Sequence, residues 1–508
     1  MMRILTFCVL LVSYSLSMAE STSERATAAY FNSIQTQPKK LSRFLHDMPK
    51  GGDLHNHLGG VSMAENMVRY AQQDALCVNS KNFSVHSDRR CPKQLSIAQI
   101  PKFPILYNQL VDAWSMRHFC PGKESGHDHF FATFIKYLPI LMKHRAEMVN
   151  EAVERACREN LIYLELMIMP DDDKSGLLGS QIAWDDNLDN LREKLLKSGV
   201  LPIVRDISKQ LDSYQKPLQS FLNEPGKQKQ LCPDFKLRYL YQVLREQPRT
   251  QVFAQSLTGF EAANRDPRIV GINLVQAEDG KISMRDYCLQ MRMIGFLHRH
   301  YPKVKISLHA GELVPGLVPM NGLRFHIREA IQSAHANRIG HGVDIRYEDH
   351  ALKLLQEMAK KQILVEINLS SNAAILNIKG QQHPILLYRQ HQVPVALSTD
   401  DEGVLRTNLT EQFNIAVANY HFSYLTLKQL ARNSIHYSFL PGASLWQADD
   451  YQHPVSSCKN SLISGQLSPS CQDFLAGNEK ADSEWKLEQQ FLSFEQRFIK
   501  PDYNAHSN

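Results

Sequence analysis

Beyond its first residues the chain has no uninterrupted apolar run near the ~20 residues that a membrane-spanning helix requires, so no stable bilayer insertion is expected. It also lacks a surplus of one charge. Its 57 Lys and Arg stand against 52 Asp and Glu, a net +5 over 508 residues, and they are dispersed rather than gathered in a stripe, which argues against nucleic-acid binding. No internal repeat, low-complexity block or clear linker divides it, which excludes a repeat array. What remains is a composition of 43% hydrophobic and 21% charged residues, that of an ordinary globule. The length suits one large barrel with insertions or two to three average domains.

The N-terminus reads Met1-Met-Arg3, an apolar run Ile4–Val12, then Ser17-Met-Ala19 before Glu20. Those are the three parts of a secretory signal, so residues 1–19 are expected to be removed and the protein exported to a periplasmic or extracellular space. A retained N-terminal anchor is the alternative. Of nine cysteines Cys8 would leave with the signal, and the other eight are an even number for an oxidising compartment. Cys77/Cys91 and Cys458/Cys471 lie close together in polar segments and are the natural bridges. Cys157 and Cys288 fall in helix-like patterns and are expected to be buried thiols.

Eight short apolar runs are expected to be strands: Asp53–Leu58, Leu161–Ile168, Lys236–Leu244, Ile269–Val275, Val304–His309, Arg338–His341, Ile363–Asn368 and Val393–Thr399. Amphipathic stretches such as Gly322–Ala336 and Glu348–Lys361 have helical period and lie between the later ones. That alternation predicts an α/β fold with a parallel sheet, and eight strands predict closure into a (β/α)8 TIM-type barrel of the metal-dependent hydrolase kind. The interval 59–160 is far longer than a crossover helix needs, so it is expected to be an insertion over the barrel mouth. Residues 205–235 are expected to form surface helices, and Trp485–Phe498 an amphipathic helix in a C-terminal extension. Residues 20–508 are read as one barrel domain.

Four runs end on chemistry. They finish Asp53-Leu-His-Asn-His57, Ser307-Leu-His-Ala-Gly-Glu312, Arg338-Ile-Gly-His-Gly342 and Leu397-Ser-Thr-Asp-Asp401. Strand C-terminal ends of such a barrel converge on one face, so these distant residues can meet at one ion. His-x-His alone is a weak signal, because it occurs three times among 21 histidines. His298/His300 close a helical pattern, where positions i and i+2 do not face each other. His127/His129 sit in a polar loop before an aromatic helix and suit a solvated or lid role. His55 and His57 lie in a strand, whose period of two aims both rings to one side. His55, His57, His309 and Asp400 can supply three imidazoles and a carboxylate to one zinc with an open position for water. Glu312, three residues past His309, is placed to move protons, and His341 and Asp401 would flank the hydroxide.

His-x-His on strand one, His-Ala-Gly-Glu on strand five, Gly-His-Gly on strand six and Ser-Thr-Asp-Asp on strand eight, in this order, resemble the adenosine deaminase family. Ser371-Asn372 and His383-Pro384 add to the match, which runs from about Lys50 to about Leu440. The signal-like start and the insertion resemble the exported branch, akin to the adenosine deaminase-related growth factors and their bacterial relatives. The resemblance implies hydrolytic deamination of a purine nucleoside at C6, with one Zn2+ held by His55, His57, His309 and Asp400. It further implies that Glu312 protonates N1, His341 orients the hydroxide and Asp401 bonds N7. Phe130, Phe131 and Phe134 fall where the family has an apolar lid, although packing of a helix would explain them equally. Gln276 and Gly311 would be substrate contacts.

Three positions depart from the family pattern. Gly59 stands where many members have an Asp that accepts from the ribose 5′-hydroxyl. Gln276 replaces a Gly whose amide serves purine N3, and Asn273 replaces a frequent Asp. The leading expectation is an exported zinc adenosine deaminase acting on adenosine and deoxyadenosine. The alternatives are an amidohydrolase acting on adenine or N6-substituted purines, or a secreted nucleoside-binding, growth-factor-like protein. An intact Glu312 and His341 argue against the last, since a binder needs no proton shuttle.

Overall fold

All eight expected strands form: β1 Gly51–His57, β2 Leu161–Ile168, β3 Lys236–Leu244, β4 Ile269–Val275, β5 Lys305–Ala310, β6 Arg338–His341, β7 Leu364–Ile367 and β8 Val395–Leu397. The computed structural model describes residues 21–499 apart from 88–90, 92–94, 123, 223–231 and 233. The signal expected at residues 1–19, with Cys8, lies outside the described residues. Two compact units are present, one running Ile34–Pro441 and the other joining the chain up to Ser33 with the residues from Gly442 onward.

The larger unit is a (β/α)8 barrel. Its strands pair in sequence order and in parallel from β1 to β8. β2 is buried along its whole length, as expected of a parallel strand covered on both faces. β8 begins only after Pro394, which cannot donate to the ladder but whose carbonyl accepts from Val365 N at 2.9 Å. The barrel closes between β8 and β1 through a bridge at Asn56 and Asp400, where His57 N donates to Asp400 O (3.0 Å) and Asp400 N donates to His55 O (2.8 Å). Closure therefore happens at the two richest motifs of the sequence.

The helices differ from expectation at their ends. The single helix expected over Gly322–Ala336 is a 3-10 turn, Met320–Leu323, and a separate helix, His326–Gln332. The break falls at Phe325, whose φ of −151° and ψ of −6° are not helical. Ala351–Lys361 buries Leu354, Leu355 and Met358, as its period predicts. Between β1 and β2 the insertion carries the helices Ala64–Gln73, Pro104–Ala113, Gly126–Lys143 and Arg145–Arg158, with a small antiparallel sheet of Cys77–Val78, Val85–His86 and Leu95–Ser96.

In the other unit, Leu445, Trp446, Tyr451, Leu475 and Trp485 pack around the Cys458–Cys471 disulfide. The terminal helix is Glu479–Gln496 rather than Trp485–Phe498, and Glu479 and Asp482 place negative charge in its first turn.

Cys77–Cys91 and Cys458–Cys471 are bridged as expected. Cys157 is not a buried thiol. It pairs with Cys232, 75 residues away, because Val153 and Cys157 on one helix face pack against Cys232, Phe235 and Leu237. Cys288 is not buried either: it is a free, exposed thiol on the solvent side of the Lys281–His300 helix.

Candidate metal centre and active site

The left-handed backbone region recurs where the strands end. Gln276 (φ +78°), Gly311 (+76°), His341 (+68°) and Asp400 (+67°) follow or close β4, β5, β6 and β8. Such conformations are uncommon for residues with a Cβ and collect at functional sites. Here they turn each chain sharply at the C-terminal rim. Gly340 has a different reason. A Cβ there would lie 2.7 Å from His55 Cε1, so the Ile-Gly-His segment is hollowed to admit the imidazole of β1.

These turns bring together the four expected ligands. His57 Nε2 lies 3.2 Å from His309 Nε2 and 3.3 Å from Asp400 Oδ1, and His55 Nε2 lies 3.5 Å from the same oxygen. Ligands about 2.0–2.1 Å from a tetrahedral zinc are about 3.3 Å apart along each edge, so the spacing fits that ion. The ring orientations agree. His55 Nδ1 donates to Glu366 Oε2 (2.7 Å) and His309 Nδ1 donates to Asn273 Oδ1 (2.8 Å), leaving both Nε2 lone pairs facing inward. Fully buried His55 Nε2 has no hydrogen-bond partner among the described residues, as a nitrogen reserved for a cation would not. Asp400 Oδ2 accepts from Ser371 Oγ at 2.6 Å, which holds the carboxylate in place.

Charge states suit this use. Burial, with the neighbouring His55, pushes His309 well down, and burial also lowers His57, so both are neutral as ligation requires. For His55 burial is outweighed by Asp400 and Glu366, which push it up to about 10, and an ion at Nε2 would replace that proton. Beside the cradle, Glu312 Oε1 stands 3.5 Å from His341 Nδ1, and His341 Nε2 is 4.0 Å from Asp400 Oδ2. Burial and the adjacent Asp400 carboxylate raise both Glu312 and Asp401 well above the usual range, which favours the protonated form of each. Burial lowers His341 to about 3.

A cavity of about 550 Å³ opens above these groups, with His57, His309, Glu312, Asp400 and Asp401 in its floor. That volume lies within the roughly 300–1,000 Å³ typical of small-molecule sites. The insertion roofs it with Phe130, Phe131 and Phe134 of the Gly126–Lys143 helix, the Phe130 ring lying 5.1 Å from that of Phe131 and 5.3 Å from that of Phe134 between centroids. Gln276 also lines it, but its Oε1 accepts from Glu246 N at 2.9 Å, which ties the side chain to the loop after β3. Gly311 stands apart from the lining, with its amide donating to Glu278 Oε1 at 2.9 Å.

His298 and His300 end the Lys281–His300 helix, outside the group of candidate ligands. His127 lines the cavity and meets Asp279 at 2.9 Å, which suits the lid role; His129 meets Glu124 and the backbone around Ser115 instead. Glu366, Asn273, Ser371 and Glu278 are the supporting residues that motif reading left unassigned. The signal that was available is their place on or just after the same strand ends.

A family model described as adenosine deaminase matches residues 105–445, about two thirds of the chain. The chain belongs to the adenosine deaminase family. The matched range starts after β1, yet His55 and His57 of β1 complete the cradle formed by the matched strands. The adenosine deaminase of Clostridium perfringens is 32% identical over 136 residues, 27% of this chain and 38% of that protein. The chain thus spans well under half the length of such curated relatives. Among solved structures, the N6-methyl-AMP deaminase of Arabidopsis thaliana superposes with a TM-score of 0.52 at 18% identity, covering 79% of this chain and 94% of that one. An adenine deaminase of Arthrobacter aurescens gives 0.50 at 17%, covering 77% and 94%. At those identities the likeness is one of fold.

Proposed function

We propose that this family member is a zinc-dependent deaminase that converts adenosine and deoxyadenosine, with water, to the corresponding inosine and ammonia. The observation that carries the reading is the join of two sets. Four inward donor atoms at zinc spacing lie beside two buried carboxyls, Glu312 and Asp401, whose affinity for a proton burial raises, at the floor of one apolar cavity.

A purine placed with its six-membered ring on that floor presents two acceptors, N1 and N7, on either side of C6. Both need a donor. Protonated Glu312 donates to N1 and draws electrons from C6, and protonated Asp401 donates to N7 and fixes the ring. Zinc held by His55, His57, His309 and Asp400 would supply a hydroxide nucleophile near neutral pH. His341, neutral through burial, orients that nucleophile by a hydrogen bond. After attack at C6, Glu312 has given its proton to N1, takes another from the added hydroxyl and passes it to the amino group. The C6–N bond then breaks, ammonia leaves and C6 becomes a carbonyl. The Phe130, Phe131 and Phe134 roof keeps bulk water from the exchange.

Export is part of the same proposal. Three disulfides, Cys77–Cys91, Cys157–Cys232 and Cys458–Cys471, support an oxidising compartment. Ammonia release from adenosine, deoxyadenosine, adenine and AMP tests the substrate assignment. Turnover of the two nucleosides well above the other two is expected, and adenine or AMP as the preferred substrate would overturn it.

A further inference from the structure

Behind His341 three hydrogen bonds run in series through buried residues, and the first of them has only one possible direction. The backbone N–H of Ile385 can only donate, and it meets His383 Nδ1 at 3.2 Å. His383 is 1% exposed, and burial lowers it to about 3, so the ring is neutral and its one proton sits on Nε2. That N–H faces Asn372 Oδ1 at 3.0 Å. With its oxygen accepting there, the Asn372 amide must present Nδ2, which lies 2.9 Å from His341 Nδ1. His341 Nδ1 therefore accepts, and the hydrogen of this imidazole is on Nε2, pointing toward Asp400 and the cradle. Asn368 Nδ2 stands 3.5 and 3.4 Å from the two ring nitrogens, nearly equidistant, and does not choose between them.

We propose that His383 and Asn372 are positioning residues that fix His341 as the Nε2–H tautomer, so that a donor rather than a lone pair faces the reacting centre. The inference rests on the deaminase reading for its catalytic meaning, though the tautomer itself is a property of the protein alone. A fixed donor at Nε2 holds the attacking oxygen by one of its lone pairs. The opposite tautomer would set two lone pairs against each other. Locking the wrong tautomer of a catalytic histidine in serine proteases costs about 10⁴ in rate, which sets the scale.

The test uses the full chain labelled with ring-15N histidine, in which spectra report which nitrogen carries hydrogen and His341→Gln identifies the His341 signal. The expected result is hydrogen on Nε2 in the unaltered protein. Asn372→Asp is nearly isosteric but accepts where Asn372 donates, so hydrogen should appear on Nδ1. Its kcat should fall by about 10²–10⁴-fold, with zinc content and KM within threefold. His383→Gln keeps an N–H for Asn372 Oδ1 and should stay within about fivefold of the unaltered kcat, whereas His383→Leu frees the amide to flip and should lose at least tenfold more. Hydrogen on Nδ1 in the unaltered protein, or Asn372→Asp retaining more than a third of kcat, would overturn the proposal. A protein that turns over no purine nucleoside would instead overturn the deaminase reading, while the ring spectra would still decide the tautomer.

Discussion

Glu366 Oε2 lies 2.7 Å from His55 Nδ1, so a carboxylate on β7 decides which nitrogen of a β1 imidazole faces the cradle. The same carboxylate accepts from Arg338 Nε at 2.6 Å and Ser307 Oγ at 2.8 Å, and Arg338 also pairs with Glu165 beneath the barrel centre. Glu366→Gln removes the charge from this run while keeping the shape. Zinc affinity is expected to fall 10–100-fold, as for other outer residues that hold a ligating histidine. Partly unpairing buried Arg338 is expected to cost roughly 3 kcal/mol of stability. Metal competition and a denaturant midpoint on the same variant check both.

Glu312→Gln is expected to lower kcat by about 10²–10⁴-fold while zinc stays bound, since Gln cannot deliver a proton to N1. Glu312 is outside the cradle of His55, His57, His309 and Asp400 and groups instead with His341 and Asp400, so an unchanged occupancy is expected if the ion sits in the cradle. A variant that keeps more than a tenth of its turnover would remove Glu312 from acid–base work.

Glu278 supports the His-Ala-Gly-Glu turn by accepting from Gly311 N (2.9 Å), Glu312 N (2.8 Å) and His326 Nδ1 (2.6 Å). Burial, the largest single influence, would raise its pKa, but the His326 contact, the Arg245 charge and the Gly311 amide together outweigh it and hold Glu278 at about 2, against an ordinary 4.5. A folded-state pKa below the unfolded one gives stability that is present above pH 4.5 and lost as pH falls toward 2. Glu278→Gln should therefore be less stable than the unaltered chain at pH 7, by about 3 kcal/mol in order of magnitude, and the gap should close across that window. Equal destabilisation at pH 7 and pH 2.5 would contradict the assignment.

Gly59 opens onto an apolar wall. A Cβ there would meet Leu141 Cδ2 at 3.7 Å and Phe134 Cδ1 at 3.8 Å, and Ile135, Leu138 and Met142 extend that wall to the cavity rim. Sites that pair a substrate hydroxyl reject its deleted analogue by about 10⁴–10⁵, and sites without the partner discriminate weakly. 5′-Deoxyadenosine should be deaminated within about tenfold of adenosine in kcat/KM. AMP should be poor, because Arg145, the cation in the cavity lining, is already paired with Asp172. In Gly59→Asp the Cβ would make only ordinary van der Waals contacts, and the variant should shift the ratio toward adenosine. A strong preference of the unaltered protein for the 5′-hydroxyl would reveal another acceptor.

The barrel was legible in the sequence because its strands are buried on both faces and read as apolar runs. β2, β3, β4 and β6 begin and end where those runs do. The four ligands were legible because strand-end position and residue type coincide. Glu366 was not, since Ile-Leu-Val-Glu-Ile reads as an apolar run and nothing in it shows that its one carboxylate meets His55. Cys157–Cys232 was hidden for a similar reason: the helical period around Cys157 shows a buried face but not what covers it. The left-handed turn at Gln276, φ +78°, was also out of reach, because a residue with a Cβ seldom adopts that region and its type gives no sign of it.

Zinc content and adenosine turnover measured on one preparation test the central claim most directly. One zinc per chain is predicted, with inosine and ammonia formed in equal amounts, activity lost on chelation and restored by adding zinc back. Full turnover by metal-free protein, or a zinc-loaded chain that leaves adenosine and deoxyadenosine unchanged, would contradict it.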